Sequence, residues 1–281
     1  MEFYDAHLHI LFKCRPSDLQ NRLDFLKGIG VKGFCAIITP EFPGDVNTIR
    51  EMIPEVYYSI QDLEVLCKQE HILPVIRQVT NPDIIPYIDA RYIGTDIERK
   101  MEKYHGQGYV GLKLLYVPEE DNVSKIHGMA RAFGRPPAES ERITADLIAC
   151  AARYGMPVLI HLDLRRYAGF MTDMLEGYPQ THFNIAHFGY YRKMAAKLLD
   201  KYPNCWTDIA SLVPGFRKDQ KGYLDFIRHY QERVLFGSDA LIEEPEIVQK
   251  AAGFFLKRLA DPQLIDRVFY KNYLEFHGRH D

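Results

Sequence analysis

The sequence predicts an α/β fold, a closed (β/α)8 TIM barrel, on three observations. Apolar runs of strand length alternate with helix-like segments from Phe3 to Phe276. The runs are continuously apolar, as parallel strands buried on both faces are, and lack the alternation of strands with one wet face. Eight such units fit within 281 residues, about the length one barrel takes. A doubly wound open sheet is the alternative that the same pattern allows.

In chain order, Phe3–His9 is the first strand, followed by an amphipathic helix over Ser17–Lys27 with Leu19, Leu23 and Leu26 on one face. Gly28-Ile29-Gly30 stops that helix, and Gly33–Ile38 is strand two. A loop marked by Pro40, Pro43 and Gly44 leads to a helix over Asp62–Gln69, and Ile72–Arg77 reads as strand three. Helix Ile97–His105 and strand Tyr109–Leu115 follow. Glycines and prolines between Pro118 and Pro137 argue against regular structure, so residues 117–138 are expected as a loop or lid. Helix Glu141–Tyr154, strand Met156–Leu162, a short helix Thr172–Glu176 and strand His182–His187 come next. Helix Arg192–Lys201, strand Cys205–Ala210, helix Asp219–Gln231 and strand Val234–Asp239 complete the eight, and C-terminal helices run from about 245 (Pro245–Ala260, Pro262–Phe276). With no internal repeat and no low-complexity linker, residues 1–281 are expected to form one domain.

Composition narrows the function classes. A chain that is 47% hydrophobic and 26% charged can bury a full core, and its net charge of -3 shows no basic excess for nucleic acid, so none is expected as a partner. No apolar run reaches the length of a membrane span. Glu2 and Asp5 stand where a signal peptide needs basic and then apolar residues, so a cytoplasmic location and no membrane contact are expected. Cys14, Cys35, Cys67, Cys150 and Cys205 are scattered and never form a C-x-x-C pair, which points to reduced thiols and not to a disulfide framework or zinc knuckle.

The polar residues that break the apolar runs carry the chemistry. His7 and His9 lie two apart, so in a strand both imidazoles project to one side. On the predicted barrel the other unusual residues also close or nearly close strands, at the end where barrel active sites lie: Lys113, His161, His187 and Asp239. A lone histidine at a strand end is ordinarily a hydrogen-bonded structural residue, but convergence at one end makes a site. Neutral imidazoles and one carboxylate suit zinc, and three histidines with an aspartate leave room for water. Arg77 after strand three and Arg165-Arg166 after strand five stand where a guanidinium can hold a carboxylate or phosphate; the plainer reading is surface ion pairs. Tyr116, Tyr190 and Tyr191 near the mouth suit an organic pocket, or are partly buried loop aromatics. The expected substrate is a small organic acid.

The stretches Asp5-Ala6-His7-Leu8-His9, Gly111-Leu112-Lys113-Leu114, Val158-Leu159-Ile160-His161, Ile185-Ala186-His187-Phe188-Gly189 and Leu235-Phe236-Gly237-Ser238-Asp239 resemble the amidohydrolase superfamily of metal-dependent hydrolases, closest to its amidohydrolase-related (type 2) branch. The resemblance runs over nearly the whole chain. It implies a divalent metal held by His7, His9, His161 and Asp239, with His187 beside it to polarise a substrate carbonyl. Asp239 would orient and deprotonate the attacking water and return the proton to the leaving group. In binuclear relatives a lysine on strand four is carboxylated and bridges two ions, which makes Lys113 and His187 candidate ligands of a second metal. The type 2 branch generally uses one, so a single zinc is expected, with manganese as the alternative. Unmodified Lys113 would instead hold a substrate carboxylate, with Arg77, Arg165 and Tyr116 as further substrate-binding residues. Family members often carry Gly-Gly after the strand-six histidine, where this chain has Gly189-Tyr190. The same branch contains non-oxidative decarboxylases of aromatic or unsaturated acids and metal-free lactonases, and these are the alternatives. A TatD-like nuclease also opens with His-x-His, but its strand four carries a glutamate where Lys113 stands. A non-catalytic binding barrel is a further alternative. Barrel enzymes often self-associate, so a homo-oligomer is a further expectation.

Overall fold

The computed structural model describes residues 1–10, 16–58 and 72–279. Among the described residues, nine parallel strands form one sheet in the order β8-β7-β6-β5-β4-β3-β2-β1-β9. They are β1 (Phe3–Ile10), β2 (Val31–Ile38), β3 (Asp83–Asp89), β4 (Gly111–Leu115), β5 (Val158–His161), β6 (Phe183–Ile185), β7 (Cys205–Asp208), β8 (Val234–Leu235) and β9 (Ala240–Leu241). β8 opens the eighth strand read from the sequence, Val234–Asp239, and β9 lies just beyond its end. Thr207 and Asp208 pair with Val234 and Leu235, while Leu8 and His9 pair with Ala240 and Leu241, so residues 234–241 close the TIM barrel.

Period-two alternation sorts each strand between two cores. On β2, Phe34, Ala36 and Ile38 face outward into the layer shared with the surrounding helices, and Cys35 and Ile37 face the barrel interior. The helices Pro16–Gly28, Ile97–Gly106, Pro137–Arg153, Leu164–Gly177, Arg192–Lys201, Gln220–His229 and Pro245–Leu259 cover the outside. Leu19, Leu23 and Leu26, at helical spacing, bury the inner stripe of the first. At the N-terminal end of the strands, Tyr273, Leu274 and Phe276 of the helix Asn272–Phe276 join Tyr4, Tyr87 and Trp206 and fill the interior.

Strand three is not where the apolar run placed it. Ile72–Arg77 holds a short helix, Leu73–Ile76, with Pro74 in its first turn, where the missing N–H costs nothing. The strand is Asp83–Asp89, hidden by Pro86, which pairs with Ala36 in the middle of it. A proline inside a run argues against a central strand, and here the chain accepts one. The expected helix over 62–69 lies outside the described residues. Residues 117–138 are not an irregular loop: Asp121 and Ile126 form an antiparallel bridge, Met129–Phe133 is helical, and Val117, Ile126 and Met129 bury themselves against Leu115 and Leu241 above the barrel. No helix among the described residues is long and apolar enough to cross a membrane.

Candidate functional site at the C-terminal end of the barrel

A bulge in β1 builds the first part of the site. Between the pairs Asp5–Phe34 and Leu8–Ala36, β1 advances one residue more than β2. Tyr4 and Ala6 face the interior core before the bulge, and Leu8 and Ile10 face the outer layer after it, so His7 and His9 turn inward. Asp5 braces the bulge, its Oδ1 accepting the amides of His7 and Ser238, both at 3.0 Å; burial pushes its carboxyl up to about 7. Gly237 lets the closing strand approach, since a Cβ there would stand 2.7 Å from the His7 Cβ.

Three carboxylates then organise the imidazoles. Asp208 Oδ2 lies 3.0 Å from His7 Nδ1, and Asp208 Oδ1 accepts the His187 amide at 3.0 Å. A carboxylate at Nδ1 places the proton there and leaves Nε2 of His7 as the lone pair, the arrangement that a carboxylate hydrogen-bonded behind the ring imposes on metal-binding histidines. That Nε2 is buried and has no hydrogen-bond partner among the described residues. Asp239 Oδ1 stands 3.2 Å from both His7 Nε2 and His9 Nε2, and its Oδ2 is 3.8 Å from His187 Nε2 and accepts Ser211 Oγ at 2.8 Å. His187 Nδ1 is 3.0 Å from the Ala210 carbonyl, so Nε2 carries its lone pair. Asp121, the third carboxylate, comes from the segment over the mouth: its Oδ2 is 2.8 Å from His161 Nε2 and accepts Tyr190 OH at 3.1 Å.

Burial sets the protonation states. It holds His7 and His161 down at about 4 and lowers His9 as well, so all three rings are neutral near pH 7. Burial opposes ionisation of Asp239, but in the acid range where His7 is protonated its charge, with the hydrogen bond from His9, prevails and holds Asp239 well below the usual carboxylate range. Asp208 is held at about 2 against its own burial by His7. Lys113 is buried and pushed down to about 8 by desolvation, and among the described residues no hydrogen bond engages its ammonium.

The backbone is strained here. His187, Phe188, Tyr190, Ser211 and Asp239 all have φ between 51° and 59°, the left-handed region that L-residues rarely enter. The turn Ala186–Tyr190 brings Tyr190 back over the site, where its hydroxyl reaches Asp121, lies 3.3 Å from His161 Nε2 and hydrogen-bonds Ser124. Tyr190 thus forms a wall of the site.

Above these groups lies a cavity of about 630 Å³, lined by His9, Arg91, Lys113, His161, Arg165, His187, Tyr190 and Asp239, among others. The structure brings together His7, His9 and Asp239, whose ligand atoms lie within 4.8 Å of one another, and likewise His7, His187 and Asp208. His161 stands beside these groups, its Nε2 taken by Asp121. Two expected residues are elsewhere. Arg77 follows the short helix, not a strand, and donates to the Gln107 carbonyl at 3.0 Å, below the strand β4 whose upper end faces the cavity. Tyr116 lies an odd number of positions from Lys113, so it faces the outer layer, stacked on Phe170 at 4.5 Å with its hydroxyl on Glu141. Arg165 lines the cavity while paired with Asp163 at 2.7 Å, and Arg166 pairs with Glu119 on the surface. Sequence reasoning missed Asp5, Arg91, Asp121 and Asp208. Asp208 had a signal, since it closes an apolar strand as the named residues do; Asp121 had none.

Fold and site together define a barrel enzyme with imidazoles and carboxylates converging on one end. The amidohydrolase sequence profile matches residues 95–276, and the chain belongs to the amidohydrolase family. The match takes in Lys113, His161, His187 and Asp239 and begins after His7 and His9. No curated protein sequence matches the chain. Several solved structures share the fold. One is a probable 2-pyrone-4,6-dicarboxylic acid hydrolase from Acinetobacter baumannii with citric acid bound (TM-score 0.62, 14% identity, 99% of this chain and 100% of that one). Another is the phosphotriesterase homology protein from Escherichia coli complexed with phosphate (TM-score 0.58, 9% identity, 98% of each chain). A third is a mutant organophosphorus hydrolase from Deinococcus radiodurans (TM-score 0.59, 11% identity, 98% and 93%).

Proposed function

We propose that this amidohydrolase is a metal-dependent hydrolase of a small, carboxylate-bearing molecule. The observation that carries the reading is His7 Nε2, a buried lone pair that has no hydrogen-bond partner among the described residues and stands in a group with His9 and Asp239. Burying an unmet polar atom is costly, and a borderline-soft divalent ion such as zinc, or manganese, meets it. His7, His9 and Asp239 would hold the ion. Bound there, it supplies Lewis acidity and lowers the pKa of the attacking water. Asp239, anionic at neutral pH, accepts a proton from that water at a carboxylate oxygen and returns it to the leaving group. His187 has its Nδ1–H committed to Ala210, so its Nε2 suits proton acceptance or a second ion, and it polarises a carbonyl only when doubly protonated.

Lys113 supports an anionic substrate. A desolvated ammonium that has no hydrogen-bond partner among the described residues is suited to a carboxylate, whereas Arg91 and Arg165 in the same lining are already paired with Asp89 and Asp163, both at 2.7 Å. The citric acid in the Acinetobacter structure accords with this. Elemental analysis of protein purified without added metal or chelator tests the reading, alongside His7→Ala and Asp239→Ala. One equivalent of zinc or manganese, lost in both variants, is expected; two would point to carboxylated Lys113 and a binuclear site. No metal after soaking would overturn the metal-dependent mechanism and leave a metal-free lactonase. Oxygen-18 incorporation from water separates hydrolysis from decarboxylation, which releases carbon dioxide without consuming water.

A further inference from the structure

We infer that Asp121 is a positioning residue for His161, delivered by the segment that covers the barrel mouth. It fixes which nitrogen of His161 carries the proton, and so ties docking of that segment to readiness of the ring. The inference rests on the reading of the cavity as a hydrolytic site.

The carboxylate divides its work between two bodies. Its Oδ1 accepts the amides of Val123 at 2.8 Å and Ser124 at 3.2 Å within its own turn, while its Oδ2 meets His161 at 2.8 Å and Tyr190 at 3.1 Å on the barrel. Both members of the pair are buried, Asp121 at 8% exposure and His161 at 5%. Ile126 and Met129 already anchor the segment through apolar contact. Burying a carboxylate beside them is costly unless its partner needs it. A carboxylate can only accept, so His161 Nε2 must donate, and Nδ1 is left as the ring's lone pair. When the segment lifts, Asp121 leaves with it and the ring is free to take either tautomer.

The test is imidazole 15N–1H correlation NMR on histidine-labelled protein as purified, with His161 assigned from His161→Asn. Wild type is expected to show the Nε2–H form at His161, and Asp121→Ala a mixture of tautomers. Asp121→Asn serves where the alanine variant does not fold, and it should also shift the tautomer. Reciprocally, His161→Ala should speed amide exchange at Val123 and Ser124 by roughly tenfold, the loss of one hydrogen bond to a charged group. A turn aspartate with only a structural role would leave the tautomer unchanged in Asp121→Asn and the amides indifferent to His161→Ala; either result overturns the inference. Titrating zinc, with metal content measured in parallel, separates this from the proposed function. Bound zinc with the Nε2–H signal retained is expected. If zinc binds and abolishes that signal, His161 is a ligand and the inference fails while the metal reading stands. If no zinc binds but Asp121 still sets the tautomer, the metal reading fails and the pair survives.

Discussion

The two ends of the barrel interior are built from the same strands and differ in almost everything else. At the N-terminal end, Tyr4 stacks on Tyr273 at 4.4 Å, Trp206 meets Phe276 edge-on at 5.6 Å, and His277 Nε2 lies 2.8 Å from Tyr87 OH. Burial pushes His277 down to about 3, so even its titratable ring is a neutral packing element. At the C-terminal end, carboxylates and imidazoles crowd within hydrogen-bond distance around a cavity. Left-handed backbone divides the same way. Before β2, β4 and β5 it falls on Gly30, Gly108 and Gly155, which adopt it without strain. Beyond β6, β7 and β8 it falls on His187, Ser211 and Asp239. One end is optimised for packing, and the other keeps strain and charge that packing alone would remove.

Substitutions at the two ends should therefore fail in different ways. Asp239→Asn should lower turnover by about 10²–10⁴-fold, the usual reach of a general acid–base group, while circular dichroism and urea unfolding stay close to wild type. A variant that keeps full turnover would remove Asp239 from the chemistry. Tyr273→Ala, at the packed end, should cost about 3–5 kcal/mol of stability and leave the metal content of the folded fraction unchanged. Loss of metal there would mean that the two ends are coupled.

Acid should expose the charged end first. His7 and His161 titrate at about 4 in the folded chain and near the ordinary 6.5 when unfolded. Between those values the unfolded chain binds more protons, so stability is present above about pH 6.5 and is lost as the pH falls towards 4, by roughly 1 kcal/mol per pH unit for each ring. His9 and His277 are lowered too and add to this, while Asp5 and Glu243, raised by burial to about 7, run the opposite way and offset part of it. Urea midpoints measured from pH 7 to 4.5 should fall, and His161→Gln should flatten the slope. An unchanged slope in that variant would show that the ring is already protonated in the folded state.

How much of this was legible in the sequence follows from how each residue is placed. His7, His9, Lys113, His161, His187 and Asp239 interrupt apolar strands at one end, and strand order alone brings such positions together on a barrel. The alternation that puts Lys113 inward also puts Tyr116 outward, a conclusion open to the sequence that its closeness to the mouth obscured. β3 was concealed because Pro86 violates the ordinary rule for central strands. Asp121 was invisible for another reason: it reaches His161 through a turn whose docking depends on Ile126 and Met129 finding a surface made by four other segments.

The smallest effects belong to the layer outside the barrel wall. Tyr116→Phe removes one hydroxyl from Glu141, a hydrogen bond of 3.2 Å, and keeps the ring on Phe170. About 1 kcal/mol of stability should go, with turnover and metal content unchanged. Arg77→Ala, an exposed side chain with one bond to a carbonyl, should stay within about 0.5 kcal/mol of wild type in urea unfolding. These two residues were expected at the mouth, and they make the sharpest control for it, because both are polar side chains that the fold keeps out of the cavity, Tyr116 in the outer layer and Arg77 below β4. If Tyr116→Phe slowed turnover while Arg77→Ala did not, the outer layer beneath the segment carrying Asp121 would be shaping the mouth through the wall. The contrast would then run across the barrel's radius as well as along its axis.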